Sequence, residues 1–259
     1  MKFTRFVVES EILQGIVTGK GIEEINGDIF ESWNYTGRTF AEDDVKLLAP
    51  IEPNQIIGIG ANFVTKLEER PDTLPNIPVF FFKPTSSVVG PDEEIVIPEG
   101  LEQVKFESEL AVIIGKDTKN ISEEEVLDHV WGYTVGNDVT APQYFHEDGH
   151  WMVGKSFDTF TPLGPFVETD LDPFQVRVEA RLNDVEKQNS PTELMIVPIR
   201  EMIAYLSSVM TLQKGDVILT GSPVGAEMVS EGSNIECDIK EIGTLKNNFV
   251  QAKQGAKSV

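Results

Sequence analysis

Cysteine occurs once in the 259 residues and histidine three times. A single thiol excludes an internal disulfide framework and fits a reducing cytoplasm, which is the expected location. Cys237 stands in the strand-like alternation IECDIKEIG, where a packed, inert thiol is expected rather than a nucleophile. Basic side chains are also scarce, 21 against 43 acidic ones, for a formal net charge of −22. Such a surface repels nucleic acid and anionic membranes, so neither is expected as a partner. An anionic substrate would need a local patch of positive charge. No apolar run is long enough to span a bilayer, and MKFTRFVVESEILQG lacks the apolar core and small-residue cleavage site of a signal peptide. Internal repeats and low-complexity segments are absent too.

Hydrophobic residues make up 40% of the chain. That suffices for the core of a soluble globular protein, and all-β chains of this length often form one domain. Residues 1–50 read as short strands joined by turns, with Asn26-Gly27-Asp28 as a turn signal. They carry no chemical constellation and are expected to form a small β-rich N-terminal subdomain, followed by a catalytic domain over 51–259. Ile56 to Gly60 reads as a buried strand, and 61–78 as a polar, proline-punctuated short helix and loop. Val79 to Phe82 is a strongly apolar strand, with Lys83 opening the loop after it. Ser122 and Glu125 make a capping box that predicts a helix to about Val130, carrying His129 as a packing or surface residue. Pro198 opens a second predicted helix, whose Ile199, Met202, Ile203, Leu206 and Met210 make one apolar stripe.

The chemistry concentrates between Lys105 and Lys155. In VKFESELAVIIG, Phe106, Ser108, Leu110 and Val112 fall on one side of a strand, and Glu107, Glu109 and Ala111 on the other. Two carboxylates side by side raise each other's pKa unless a cation sits between them. YTVGNDVTA reads as a second strand ending at Asn137-Asp138, so Asp138 could bring a third carboxylate to the same point. Three oxygen ligands without cysteine or histidine suit Mg²⁺ or Mn²⁺ with positions open for water or substrate. The competing reading is that Glu107 and Glu109 are a solvated strand face. Lys155, just past a glycine in GHWMVGKSFDTFTPLGP, could supply fixed positive charge. His146 and His150 have a helical zinc spacing, but Asp148-Gly149 argues for a turn and no third ligand is fixed.

The segments GIGANF, FFFKPTSSVVGP, FESELAVIIGK, GYTVGNDVTA, WMVGKSFDTFTPLGP, Thr211–Gly225 and IGTLKNNF follow one another in an order that resembles the fumarylacetoacetate hydrolase superfamily. The resemblance runs from about Ile51 to Val250 and is strongest to the bacterial homoprotocatechuate-pathway decarboxylase/isomerase branch. It implies a mostly β fold, a mixed β-sandwich roll with peripheral helices, usually as a homodimer. It also implies a divalent metal on Glu107, Glu109 and Asp138, with Lys155 contacting substrate. Gln188 and Thr192 match a Gln and a Thr used near substrate. Lys83, Thr220 and Ser222 are further candidate substrate contacts, the last two for a carboxylate, although Gly221-Ser222-Pro223 also reads as ordinary turn chemistry.

The chain departs from the family pattern twice. A lid in the family carries a His and, three residues on, a Glu that activate water; here Lys66 holds the first position and Glu69 matches the second. Lys66 is either a desolvated base or a solvated lid residue. The family's Ser/Thr-Ala-Arg becomes Thr140-Ala141-Pro142, losing a bidentate carboxylate grip, with His146 or His150 as possible substitutes. The expected activity is metal-dependent chemistry on a short 2-oxo di- or tricarboxylic acid through an enolate, by decarboxylation or isomerisation. The runner-up is C–C hydrolysis of the acylpyruvate type, which needs a placed base. The rival of another class is a metal-binding protein without turnover.

Overall fold

The computed structural model describes residues 1–75 and 77–253. Position 76, inside the polar 61–78 stretch, and the last six positions of the expected catalytic domain lie outside the described residues. The protein is built mostly of strands, and among the described residues it has one α-helix, Ile199–Val209. None of these elements is a helix long and apolar enough to cross a membrane.

Strand Ser108–Ile114 is buried at every position. Leu110, Val112 and Ile114 enter one core, while Ala111 and Ile113 enter a second on the opposite face. A strand covered on both faces reads as a near-continuous apolar run, which explains ELAVII. Its neighbours are Val130–Asn137, antiparallel, and Val217–Leu219, also antiparallel. Beyond Val217–Leu219 come the parallel strand Ile56–Ile59 and then Phe80–Lys83. On the other side the large sheet continues through Thr161–Glu168 to Lys2–Val8 and the meander Glu11–Thr18, Gly21–Asp28 and Ser32–Phe40. The N-terminal strands therefore extend the main sheet, with Lys2 paired to Glu168 and Phe3 to Val167.

A second sheet of five strands has the order Val185–Pro191, Arg177–Leu182, Asn234–Ile239, Gly243–Gln251 and Glu94–Ile97. Its inward residues, among them Val178, Ala180, Ile235, Leu245 and Phe249, pack with Leu110, Val112 and the helix residues Ile199, Met202, Ile203 and Leu206. The predicted stripe is thus the buried face of the helix, except that Met210 is its half-buried C-cap.

Two local expectations fail. Asn26 and Gly27 remain in the ladder, opposite Asn34 and Trp33. The turn comes at 29–31, because the Asp28 side chain accepts a hydrogen bond from the Phe30 N–H at 2.8 Å. The helix predicted from Ser122 shrinks to a 3₁₀ turn at Val126–Asp128. Half of the capping box forms, the Ser122 N–H donating to Glu125 Oε2 at 2.8 Å. The Gly115 N–H then binds the His129 carbonyl at 2.7 Å and the chain enters strand Val130–Asn137, so no second turn can propagate. His129 is half-buried, its Nδ1 2.7 Å from Thr118 Oγ1.

Candidate active site

Antiparallel register brings the acidic residues together. Ser108 lies opposite Asn137. The residues just outside that pair, Glu107 and Asp138, are joined by the Asp138 N–H to the Glu107 carbonyl at 2.8 Å. Asn137 Oδ1 accepts from the Glu107 N–H at 2.9 Å, fixing the glutamate backbone. One carboxylate oxygen each from Glu107, Glu109 and Asp138 lies within 4.8 Å of the others. Glu109 is 2% exposed and Asp138 1%, so this is not a solvated strand face.

Three lysines surround the carboxylates. Lys155 reaches Glu107 Oε2 at 2.6 Å and also bonds Asp138 Oδ2. Lys83 donates to Asp138 Oδ1 at 2.6 Å and to the Val139 carbonyl at 3.2 Å. Lys105 donates to Glu107 Oε1 at 2.8 Å. Burial pushes the Asp138 carboxyl up, but Lys155 and Lys83 outweigh it and hold the group below its usual range. Burial opposes the charge on Lys155, yet Asp138 and Glu107 win and its ammonium is held above the ordinary lysine value. For Lys83, complete burial dominates and lowers the value in spite of Asp138.

Glu109 differs from its neighbours. Its Oε2 accepts only the Gly221 N–H, at 2.7 Å, and none of the three lysines bonds it. Gly221 adopts φ +97°, a conformation that turns its N–H toward the carboxylate at little cost only for glycine. Burial raises the Glu109 carboxyl well above its usual value, and the charges of Asp138 and Glu107 add to the rise. A buried carboxylate beside two others, with all-oxygen donors and no thiol or imidazole, fits a hard divalent cation.

The three acids open into a cleft of about 410 Å³. Lys105 and Lys155 stand beside them, with Ile59, Gly60, Ala61 and residues 222–226 forming further walls. Phe81, Phe145 and Trp151 make an aromatic side. Phe145 and Trp151 are stacked at 5.8 Å, Trp151 meets Phe81 edge-on at 5.9 Å, and Lys155 Nζ lies 4.8 Å from the Phe81 ring centre.

Of the predicted substrate contacts, Ser222 lines this cleft, whereas Lys83, Gln188, Thr192 and Thr220 do not. Each of the last four is spent on internal bonds. Gln188 Oε1 accepts from the Ser108 N–H at 3.1 Å, and its amide donates to Ser222 Oγ at 2.8 Å and the Pro223 carbonyl at 2.6 Å. Thr220 Oγ1 donates to the Leu110 carbonyl at 2.8 Å, and Thr192 Oγ1 to the Pro173 carbonyl at 2.7 Å. Lys83 sits behind Asp138. Lys66 and Glu69 are exposed and off the cleft; Glu69 is bonded by the Thr65 hydroxyl and N–H. His146 and His150 are exposed, 6.1 Å apart between ring centres, and also outside the cleft walls, so they replace no arginine there. Among the described residues the single group of three or more metal-capable side chains is Glu107, Glu109 and Asp138. Sequence reasoning missed Lys105, Phe145 and Trp151. The two aromatics flank the His146–His150 turn, whose irregularity was the only signal.

The family model for the fumarylacetoacetate hydrolase C-terminal region matches residues 55–250. The chain belongs to the fumarylacetoacetate hydrolase family. A second model, Rv2993c-like N-terminal, matches residues 1–50. Relatives in the family include the mitochondrial oxaloacetate tautomerase fahd2 of Xenopus laevis, 41% identical over 81% of this chain and 70% of that protein. The solved structure of 5-carboxymethyl-2-hydroxymuconate delta-isomerase from Mycobacterium smegmatis is 36% identical, covers 97% of this chain and 100% of its own, and superposes with a TM-score of 0.90. Maleylpyruvate hydrolase from Sphingobium sp. SYK-6, solved with manganese(II) and pyruvate, is 28% identical with a TM-score of 0.82, covering 98% of this chain and 100% of its own. The family is thus one of enzymes that includes isomerases, tautomerases and hydrolases.

Proposed function

We propose that this family member is a Mg²⁺- or Mn²⁺-dependent enzyme acting on a short 2-oxo dicarboxylic acid, by isomerisation or decarboxylation through the enolate. The carrying observation is Glu109, a buried carboxylate with no lysine bonded to it, beside Glu107 and Asp138 at the floor of an open cleft. These three residues would hold the cation. When bound, it supplies Lewis acidity to the substrate's carboxylate and 2-oxo group.

The remaining chemistry belongs to the chain. Lys155, fixed between Glu107 and Asp138, presents a positive charge to an enolate oxygen developing in the cleft. Ser222 also lines the cleft and offers a hydroxyl there, anchored by Gln188. Phe81, Phe145 and Trp151 exclude water on one side and raise the strength of every charge interaction inside. A proton shift between C3 and the 2-oxo oxygen passes through the enolate of the intact substrate, and loss of a β-carboxylate as CO₂ leaves the enolate of the shortened acid. In both, the electron pair moves toward the 2-oxo oxygen and needs the same positive charge beside it. Hydrolysis of a C–C bond additionally requires a base to activate water, and Lys66 and Glu69 lie outside the cleft. That placement favours isomerase or decarboxylase chemistry, in the manner of aromatic catabolism. Likeness to maleylpyruvate hydrolase keeps hydrolysis as the second reading. A cytoplasmic homodimer is part of the proposal.

The test follows enol oxaloacetate absorbance and CO₂ release, with and without Mg²⁺ or Mn²⁺, in wild type and Glu109→Ala. Metal-dependent tautomerisation or CO₂ release that vanishes in the variant is expected. Cleavage of acylpyruvates without either would promote the hydrolase. Metal binding without turnover on any 2-oxo acid would leave a non-catalytic protein.

A further inference from the structure

We infer that Lys105 is the specificity residue that receives the substrate's distal carboxylate, so that the cleft selects 2-oxo dicarboxylates over 2-oxo monocarboxylates. The inference rests on the proposed 2-oxo acid reading but concerns a residue to which neither the sequence motifs nor the metal ligands assign a role.

The three lysines are not equivalent. Lys83 is fully enclosed and bonds both Asp138 and the Val139 carbonyl. Lys155 is 5% exposed and bridges two carboxylates. Lys105 is 33% exposed, lines the cleft, and holds one partner only, Glu107 Oε1. Its backbone is nevertheless fixed. Strand Gln103–Lys105 pairs with Met228–Ser230, and Lys105 exchanges both backbone hydrogen bonds with Thr140, at 2.7 and 2.9 Å. A flexible ammonium on an immobile root is suited to swing between Glu107 and a ligand in the cleft.

Charge decides when it swings. Counted as three carboxylates and three ammonium groups, the site has a formal charge of zero before a cation is added. A divalent cation on the acids takes up the charge of Glu107 that Lys105 now shares with Lys155 and Thr140. It also leaves the site with a surplus of two positive charges, which matches a dianion rather than a monoanion. One carboxylate of that dianion belongs at the acidic floor with the 2-oxo group. The other falls to the one ammonium that is accessible and weakly committed. In a chain of net charge −22 this local surplus is also what makes entry of a dianion favourable.

The experiment is calorimetric binding, to Mn²⁺-loaded protein, of 2-oxoglutarate and of 2-oxovalerate, which match in chain length and differ in the distal carboxylate. Lys105→Gln is expected to weaken 2-oxoglutarate by about 10- to 100-fold, the usual weight of one charge-assisted bond, and to leave 2-oxovalerate within about 2-fold. Lys105→Arg should restore most of the preference, and Mn²⁺ affinity should not fall in either variant. Oxaloacetate turnover by Lys105→Gln should show a raised KM more than a lowered kcat. Equal weakening of both ligands, or of neither, would overturn the assignment, and so would wild-type protein that binds neither oxo acid. Selective binding through Lys105 without oxaloacetate turnover would uphold it while removing the proposed reaction.

Discussion

Glu109 accepts the Gly221 N–H at 2.7 Å and is bonded by no lysine, although three lysines stand around its neighbours. An ionised carboxylate in that position costs stability, which a bound cation would offset. Added Mg²⁺ or Mn²⁺ should therefore raise the Tm, by an amount set by the ratio of free metal to its Kd. Glu109→Gln should unfold no earlier than wild type without metal, since it removes like-charge repulsion at constant volume. The same variant should lose the metal-induced rise. Thermal scans with EDTA and with millimolar Mn²⁺ check both halves. An early-melting metal-free variant would show that Glu109 stabilises the fold on its own.

A second prediction concerns the aromatic side of the cleft. A Cβ added at Gly60 would lie 2.0 Å from Trp151 Cζ3, so Gly60→Ala must displace the indole. Overpacking of this kind costs about 1–3 kcal/mol, and the displaced ring would open the cleft to water. The variant should stay folded, shift its indole emission to the red, and lose about tenfold or more in kcat/KM on oxaloacetate. Trp33 and Trp131 pack together with Phe3 in the N-terminal aromatic cluster, so their emission is the constant background. An unchanged spectrum in Gly60→Ala would show that Trp151 has another place to sit.

The sequence made the central strand and its acids readable because two physical signals coincide there: a period of two in FESELA and an unbroken apolar run after it. The Pro198 helix was readable for the same reason, a single stripe at helical spacing. Asp138 beside Glu107 was harder, since their meeting depends on the register of two strands, fixed by the surrounding core. Lys105, Phe145 and Trp151 gave no periodic signal; they reach the cleft through a two-stranded ribbon and a turn. Gln188 and Thr192 matched the family pattern and Thr220 offered a hydroxyl in a turn, but all three satisfy buried backbone groups that the sequence does not display. The predicted helix at Ser122 failed because a cap is a local preference and the strand that follows is a tertiary one.

Cys237 provides a probe of global opening. It is 1% exposed, and burial pushes its thiol up to about 12. At pH 8 the native protein should react negligibly with a thiol-specific disulfide reagent over minutes, then stoichiometrically in urea, because the thiolate is the nucleophile. Fast reaction of the native protein would mean that the five-stranded sheet opens locally at Asn234–Ile239.

The pH dependence of stability should carry a contribution from Glu24. Its carboxylate accepts two bonds from Arg38, at 2.5 and 2.6 Å, and one from the Thr36 hydroxyl at 2.6 Å. Arg38 is the main cause that holds the Glu24 carboxyl below its usual value, against a smaller opposing effect of burial. The folded state thus binds the Glu24 proton less readily than the unfolded chain, where an ordinary glutamate titrates near ~4.3. The stabilisation is complete above that unfolded value and disappears as pH falls through the lower folded one. Because the guanidinium side chain is 52% exposed, solvent screens the pair and the effect is small. Glu24→Gln should lower the Tm at pH 7 by about 1–3 °C, the gap should shrink between pH 5 and pH 3, and 1 M salt should reduce it at neutral pH. A gap that stayed constant to pH 3 would assign the loss to packing in the Gly21–Asp28 strand, and the ion pair with Arg38 would then contribute nothing to stability.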